Sequence, residues 1–195
     1  MGFGCRQIHR ETAYSMIAPT INVDGLICPA KEASIPVLDR GFLYGDSVYE
    51  VFRTYRGVPL FLDDHFERLE NSARLIQMQI SQSREELLFE IKRTAKIAGV
   101  SHDEDAYVRY QITRGDGQVD LYPDPNLKTR YVIIVNTLPS HNAVFYDRGM
   151  YMMIPKVRRN PANALDPNIK GGNYLNNIMG LTEARQSGAD DCVML

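Results

Sequence analysis

The chain has 195 residues, 44% hydrophobic and 24% charged, with 22 Lys and Arg against 24 Asp and Glu for a formal net charge of -2. That length holds one large or two small domains, and interspersed charge excludes the basic stripe of a nucleic-acid binder. No apolar run nears the roughly 20 residues of a membrane span. Cys5, Cys28 and Cys192 lack disulfide or zinc spacing, and His9, His65, His102 and His141 are too scattered for a metal site.

Residues 1–20 read as a loose N-terminal arm without a signal-peptide core, which fits a cytoplasmic protein. From Ile21, "INV", "DG" and "LIC" read as strand, turn and strand. A second hairpin follows in "VYEVFRTYRGVPLFL", with Arg56-Gly57 as its turn and Pro59 marking an edge. "DDHFERLENSARLIQM" places Phe66, Leu69, Ala73 and Ile76 on one helical face, with Asp63 or Asp64 as N-cap. "SREELLFEIKRTAKIAG" opens with a Ser83/Glu86 capping box, buries Leu87, Leu88 and Ile91, and stops at Gly99.

Two strands come next, "AYVRYQIT" and "RYVIIVNT", separated by the Gly/Asp/Pro-rich loop Gly115 to Asn126. Strands, two helices and strands again predict an α+β unit over 21–137, with a linker at 138–144. In 145–195, "MYMMIPKV" reads as a strand. A polar loop, Asn160 to Gly172, leads into a helix from about Asn173 to Gln186, with Tyr174, Ile178 and Leu181 on its buried side. The chain stops inside the apolar run "CVML", which reads as a strand begun without a partner.

Lys170, in "DPNIKGGNYL", is the first candidate for chemistry: a lysine that can lose its proton is a nucleophile and base. Gly171 and Gly172 would let a planar cofactor approach the backbone. Taken alone, Lys170 reads as a solvated loop cation, as most such lysines are. Arg68 offers a guanidinium fork for a phosphate, or else pairs on the surface with Asp64 or Glu67. The bent segment "DRGFLYGDSVYE" delivers Tyr44 and Tyr49 to a pocket or to the core. Strand alternation puts Tyr107, Arg109 and Gln111 on one face, where the arginine either binds a carboxylate or is merely solvated. No Ser/His/Asp or Cys/His array is evident, and "RGDGQ" lacks the phosphate-loop pattern.

"DRGFLYGDSVYEVFRTYRG", "HFERLENSA", "YVRYQITRG" and "NIKGGNYLNNIMGLTEARQSGADDCVML", in that order, resemble the successive motifs of the class IV aminotransferases, the fold-type-IV pyridoxal-phosphate enzymes. The resemblance covers nearly all of Ile21 to Leu195. It implies a small N-terminal α/β domain followed by the start of a larger pseudo-barrel α/β domain, incomplete at its C-terminal end. In such enzymes the residue matching Lys170 forms the Schiff base with pyridoxal 5'-phosphate and acts as general acid and base. Arg68 would then hold the cofactor phosphate and Tyr174 would hydrogen-bond the ring hydroxyl.

"KGGNYL" and "AYVR" are similar to the branched-chain L-amino-acid branch, in which positions matching Tyr44, Tyr49, Tyr107 and Arg109 line the substrate pocket. The reaction implied is amino-group exchange between an amino acid and a 2-oxo acid, by a homodimer. "DGQVDLYP" lacks the arginine and histidine of the D-amino-acid aminotransferase branch. "DRGFLYGDSVYEV" is shared with that branch and with aminodeoxychorismate lyase, so both remain alternatives. The family's EG-x-x-SN-like motif, whose glutamate pairs with the cofactor ring nitrogen, is absent. A non-catalytic binding or assembly protein that keeps the small domain is therefore a further alternative.

Overall fold

A computed structural model describes residues 18–138 and 143–195. Most of the expected N-terminal arm, residues 1–17, and residues 139–142 of the expected linker lie outside the described residues. Strands β1 (Thr20–Val23) and β2 (Leu26–Pro29) form the first hairpin. Its turn residues Asp24 and Gly25 have φ 48° and 92°, the paired positive values that match a tight turn to the twist of its strands. A segment read from sequence only as bent is a one-turn helix, α1 (Arg40–Tyr44). Asp39 caps it by accepting from Gly41 N, and Gly45 ends it at φ 69°.

The second hairpin joins β3 (Ser47–Tyr55) to the short β4 (Val58–Pro59), which lies at the sheet edge as Pro59 predicted. Helix α2 (Leu62–Leu75) starts earlier than its expected cap allows: Phe61 occupies the cap position at φ 49°, without a side-chain bond. Asp63 and Asp64 instead lie inside the first turn, where their charge complements the helix dipole. Helix α3 (Arg84–Ile97) carries the Ser83/Glu86 capping box in full.

Strands β5 (Ala106–Thr113) and β6 (Arg130–Thr137) complete a six-stranded antiparallel sheet in the order β2-β1-β6-β5-β3-β4. Helices α2 and α3 cover one face. Val48, Phe52, Val108, Tyr110, Ile112, Ile133 and Val135 there meet Phe66, Leu69, Ala73, Leu87 and Ile91. Each large apolar side chain so buried contributes about 1.5–3 kcal/mol relative to exposure. Along most of β3 burial alternates, but Ser47, Val48, Tyr49 and Glu50 are all buried. Alternation fails at this end because residues 170–174 cover it from outside the helix-packed face.

The remaining elements are α4 (Val144–Arg148), β7 (Met152–Met153), α5 (Leu175–Gln186) and β8 (Asp191–Cys192). β7 is shorter than "MYMMIPKV" suggested. The apolar C-terminal run does have a partner, because β8 pairs with β7 in parallel. The buried side of α5 also differs from expectation. Tyr174, Ile178 and Leu181 are 40%, 55% and 39% exposed, whereas Gly180 and Ala184 are buried. The reason is close approach: a Cβ on Gly180 would stand 2.9 Å from Met194 Sδ, so the strand end crosses the helix where it is narrowest. Among the described residues no helix is long and apolar enough to cross a membrane, and no group of His, Cys, Asp or Glu forms a metal site.

Candidate functional site

The turn Asp166–Ile169 delivers Lys170. Asp166 Oδ1 accepts from Asn168 N at 2.9 Å, and its carbonyl accepts from Ile169 N at 3.0 Å. Residues 170–172 then run beside the open edge of β3. Tyr49 N donates to the Lys170 carbonyl at 2.9 Å, and Gly172 N donates to the Ser47 carbonyl at 2.8 Å. On the other side, Lys170 N donates to Ser72 Oγ at 3.1 Å, and that hydroxyl donates to the Arg68 carbonyl at 2.8 Å.

The glycines allow this docking, and Gly171 also lines the cavity beside it. A Cβ on Gly172 would lie 2.2 Å from Ser47 Oγ, and one on Gly171 would lie 3.3 Å from the Ser47 carbonyl. Only a backbone without side chains lies this close to β3.

Arg68 does not pair with Asp64 or Glu67. It reaches across to Glu50 on β3, donating from Nε at 2.5 Å and from Nη2 at 2.7 Å. Glu50 is fully buried and also bonds His65 Nδ1 at 2.8 Å. Burial alone would raise the Glu50 pKa. Hydrogen bonds from Arg68 and His65, with the charges of Arg68 and Lys170, outweigh it and hold the carboxyl below its ordinary value. The same pairing raises Arg68.

The Tyr49 and Tyr174 hydroxyls are hydrogen-bonded to each other. Burial first, and then this contact, pushes the Tyr49 phenol far above its usual range. Lys170 Nζ sits 4.7 Å from the Tyr49 ring centroid, and the Arg109 guanidinium stacks on the same ring at 3.6 Å. Arg109 Nη2 also donates to Gln111 Oε1 at 2.9 Å, and Gln111 Nε2 donates to Ser47 Oγ at 3.0 Å.

Lys170, Arg68 and Tyr174 line one cavity of about 430 Å³, together with Arg159, Asn160, Asn173 and Asn177. Of the seven candidate residues these three meet there, with Tyr49 and Arg109 in contact beside them. Tyr44 lies on α1 under the Arg40 guanidinium, 4.9 Å from its ring centroid, and does not line the cavity. Tyr107 is half-buried on β5, opposite Arg53 and Asn136, and does not line it either.

Glu50, Ser72 and Arg159 were not singled out from sequence. Glu50 was legible only as one letter of a motif, because its partner lies 18 residues away on another element. Arg159, whose Nη1 donates to Asn177 Oδ1 at 2.8 Å, reaches the cavity from an irregular loop with no periodicity to flag it.

Comparison with known proteins gives consistent relatives. Residues 47–195 match the family described as amino-transferase class IV. A protein of Methanocaldococcus jannaschii, provisionally named a branched-chain-amino-acid aminotransferase, is 32% identical over 90% of this chain and 59% of its own. The branched-chain amino acid aminotransferase of Escherichia coli superposes with a TM-score of 0.83 at 26% identity, over 91% of this chain and 60% of its own. A T.th. branched-chain amino acid aminotransferase complexed with N-(5'-phosphopyridoxyl)-L-glutamate superposes with a TM-score of 0.79 at 30% identity. That match covers 91% of this chain and 58% of the other. The chain thus spans about three-fifths of the length of these relatives.

Proposed function

The chain belongs to the class IV aminotransferase family, and on that premise we propose that it carries the reactive lysine of a pyridoxal-phosphate-dependent aminotransferase. The reaction is amino-group exchange between an amino acid, with branched-chain L-amino acids favoured, and a 2-oxo acid. The observation that carries this reading is the convergence of Lys170, Arg68 and Tyr174 on one cavity. Two of them, Arg68 and Lys170, are far apart in sequence yet joined through Ser72.

The donor set fits the cofactor. An amine suits its aldehyde, a guanidinium fork suits its phosphate, and a phenol suits its ring oxygen. When bound, pyridoxal phosphate supplies the electron sink that acidifies the Cα–H of an attached amino acid. The protein's own part follows from the geometry. Lys170 Nζ is the covalent anchor and the proton carrier, held over Tyr49 by a backbone paired to β3. Arg68 Nη1 makes no hydrogen bond among the described residues and is the donor left for a phosphate. Arg109, fixed by Gln111 and stacked on Tyr49, orients a substrate carboxylate, with Tyr107 on the same strand face.

The reading extends to a homodimer in the cytoplasm, and to the division into 21–137 and 145–195. The test is titration with pyridoxal phosphate. The expected result is a visible absorbance band that Lys170→Ala abolishes, together with amino-group transfer from leucine to 2-oxoglutarate. A band unchanged by Lys170→Ala would overturn the assignment.

A further inference from the structure

Glu50 occupies a position where the fold alone calls for an apolar residue. Its neighbours on the same face of β3, Val48 and Phe52, are core side chains, and Tyr110 lies directly opposite it in register. A buried carboxylate there is costly unless paired, and an apolar residue of similar size would serve the core as well or better. The side chain is nonetheless fully buried, and its oxygens receive Arg68 through two donors and His65 through a third.

We propose that Glu50 is a positioning residue: it grips the Nε/Nη2 edge of Arg68 so that the remaining Nη1 is held ready for a phosphate in the cavity. This rests on the cofactor reading above. A half-exposed arginine, with its many rotamers, would otherwise have to be ordered when ligand binds. Gripping one edge of a planar fork fixes the direction of the other, and the restraint is set before binding. The Ser72 hydroxyl adds register, because it accepts from the Lys170 amide and donates to the Arg68 carbonyl. Phosphate-holding and amine-bearing segments are thus fixed relative to one another.

The sign of the effect separates this role from its opposite. If Glu50 competed with phosphate for Arg68, neutralising it would free the guanidinium and tighten binding. If it aims Arg68, neutralising it loosens binding even though the local charge becomes more positive.

The experiment compares dissociation constants of the full 195-residue chain for pyridoxal phosphate and for pyridoxal, which lacks the phosphate. Glu50→Gln is expected to weaken pyridoxal phosphate about tenfold, the scale seen when a partner that orients a ligating group is removed, and to leave pyridoxal unchanged. In an Arg68→Ala background, Glu50→Gln should cost nothing further. Glu50→Asp keeps the charge one methylene short, so it should fall between wild type and Glu50→Gln; it also stands in if the glutamine variant folds poorly. Unchanged or tightened pyridoxal phosphate binding, equal losses for both ligands, or a full extra loss in the Arg68→Ala background would each overturn the proposal. If wild type binds neither ligand in a Lys170-dependent way, the cofactor reading itself falls, an outcome distinct from all of these.

Discussion

Replacing Gly172 by alanine tests the docking that holds Lys170. The added Cβ would meet Ser47 Oγ at 2.2 Å and the Gly45 carbonyl at 3.3 Å. Ser47 is almost completely buried and its hydroxyl accepts from Gln111 Nε2, so turning it aside breaks that bond, at about 0.5–1.5 kcal/mol. Any off-rotamer strain adds a further ~0.5–1.5 kcal/mol. If the segment backs away instead, the bonds Tyr49 N to Lys170 O and Gly172 N to Ser47 O stretch, with a loss of similar size. Gly172 is outside the left-handed region, so alanine regains about 0.4–1 kcal/mol through the unfolded chain.

At the midpoints of these ranges the net expectation is a destabilisation of about 1.3 kcal/mol. Ser47→Ala alone should cost about 1 kcal/mol by leaving the Gln111 amide unmet. In the double variant the offending oxygen is gone, and the nearest side-chain atom on residue 47 is its Cβ at 3.6 Å. The pair should therefore cost no more than about 1 kcal/mol in total, far from additive. Urea unfolding followed by circular dichroism, at constant m-value, measures all three. A Gly172→Ala loss below about 0.5 kcal/mol, or an additive double variant, would refute the close-packing account.

Two further outcomes follow from buried polar groups. The Tyr110 hydroxyl is buried with no hydrogen-bond partner among the described residues, and burial raises its pKa above the ordinary range. Tyr110→Phe removes only that oxygen and should stabilise the fold by about 1 kcal/mol in a thermal melt, whereas a comparable loss would mean that the hydroxyl is satisfied. Glu50 is held below the ordinary glutamate value of 4.5. Its ionic contribution is therefore complete above that value and is lost as pH falls through its lower folded value. Unfolding of wild type and Glu50→Gln from neutral pH into the acid range should show the wild-type advantage shrinking in acid; a gap independent of pH would contradict the pairing.

Local chemistry carried much of the fold. Asp24-Gly25 and Arg56-Gly57 both adopt the positive φ values that their hairpins require, and Ser83 with Glu86 closes its box as read. Reading failed where a decision depended on distant backbone. Apolar spacing identified Ile178 and Leu181 as a stripe, yet coverage of α5 is set by the crossing of Met194 at Gly180. Arg68 had acidic neighbours on its own helix, but the better partner was a buried carboxylate whose position only strand register fixes. The order of motifs named Lys170, Arg68 and Tyr174, which line one cavity. The supports Glu50, Ser72 and Arg159 were not named, because nothing in their local sequence distinguishes them from filler.

The pairing of residues 170–172 with β3 has a consequence beyond chemistry. β4 pairs with β3 only at Thr54 and Tyr55, so the Ser47–Tyr49 stretch would otherwise present bare amides and carbonyls at a sheet border. Such a border is a template for a strand from another molecule. The segment that brings the amine to its cavity also closes that template. A lesion that frees the Lys170 loop should thus favour aggregation, and selection for solubility alone would keep the loop in place.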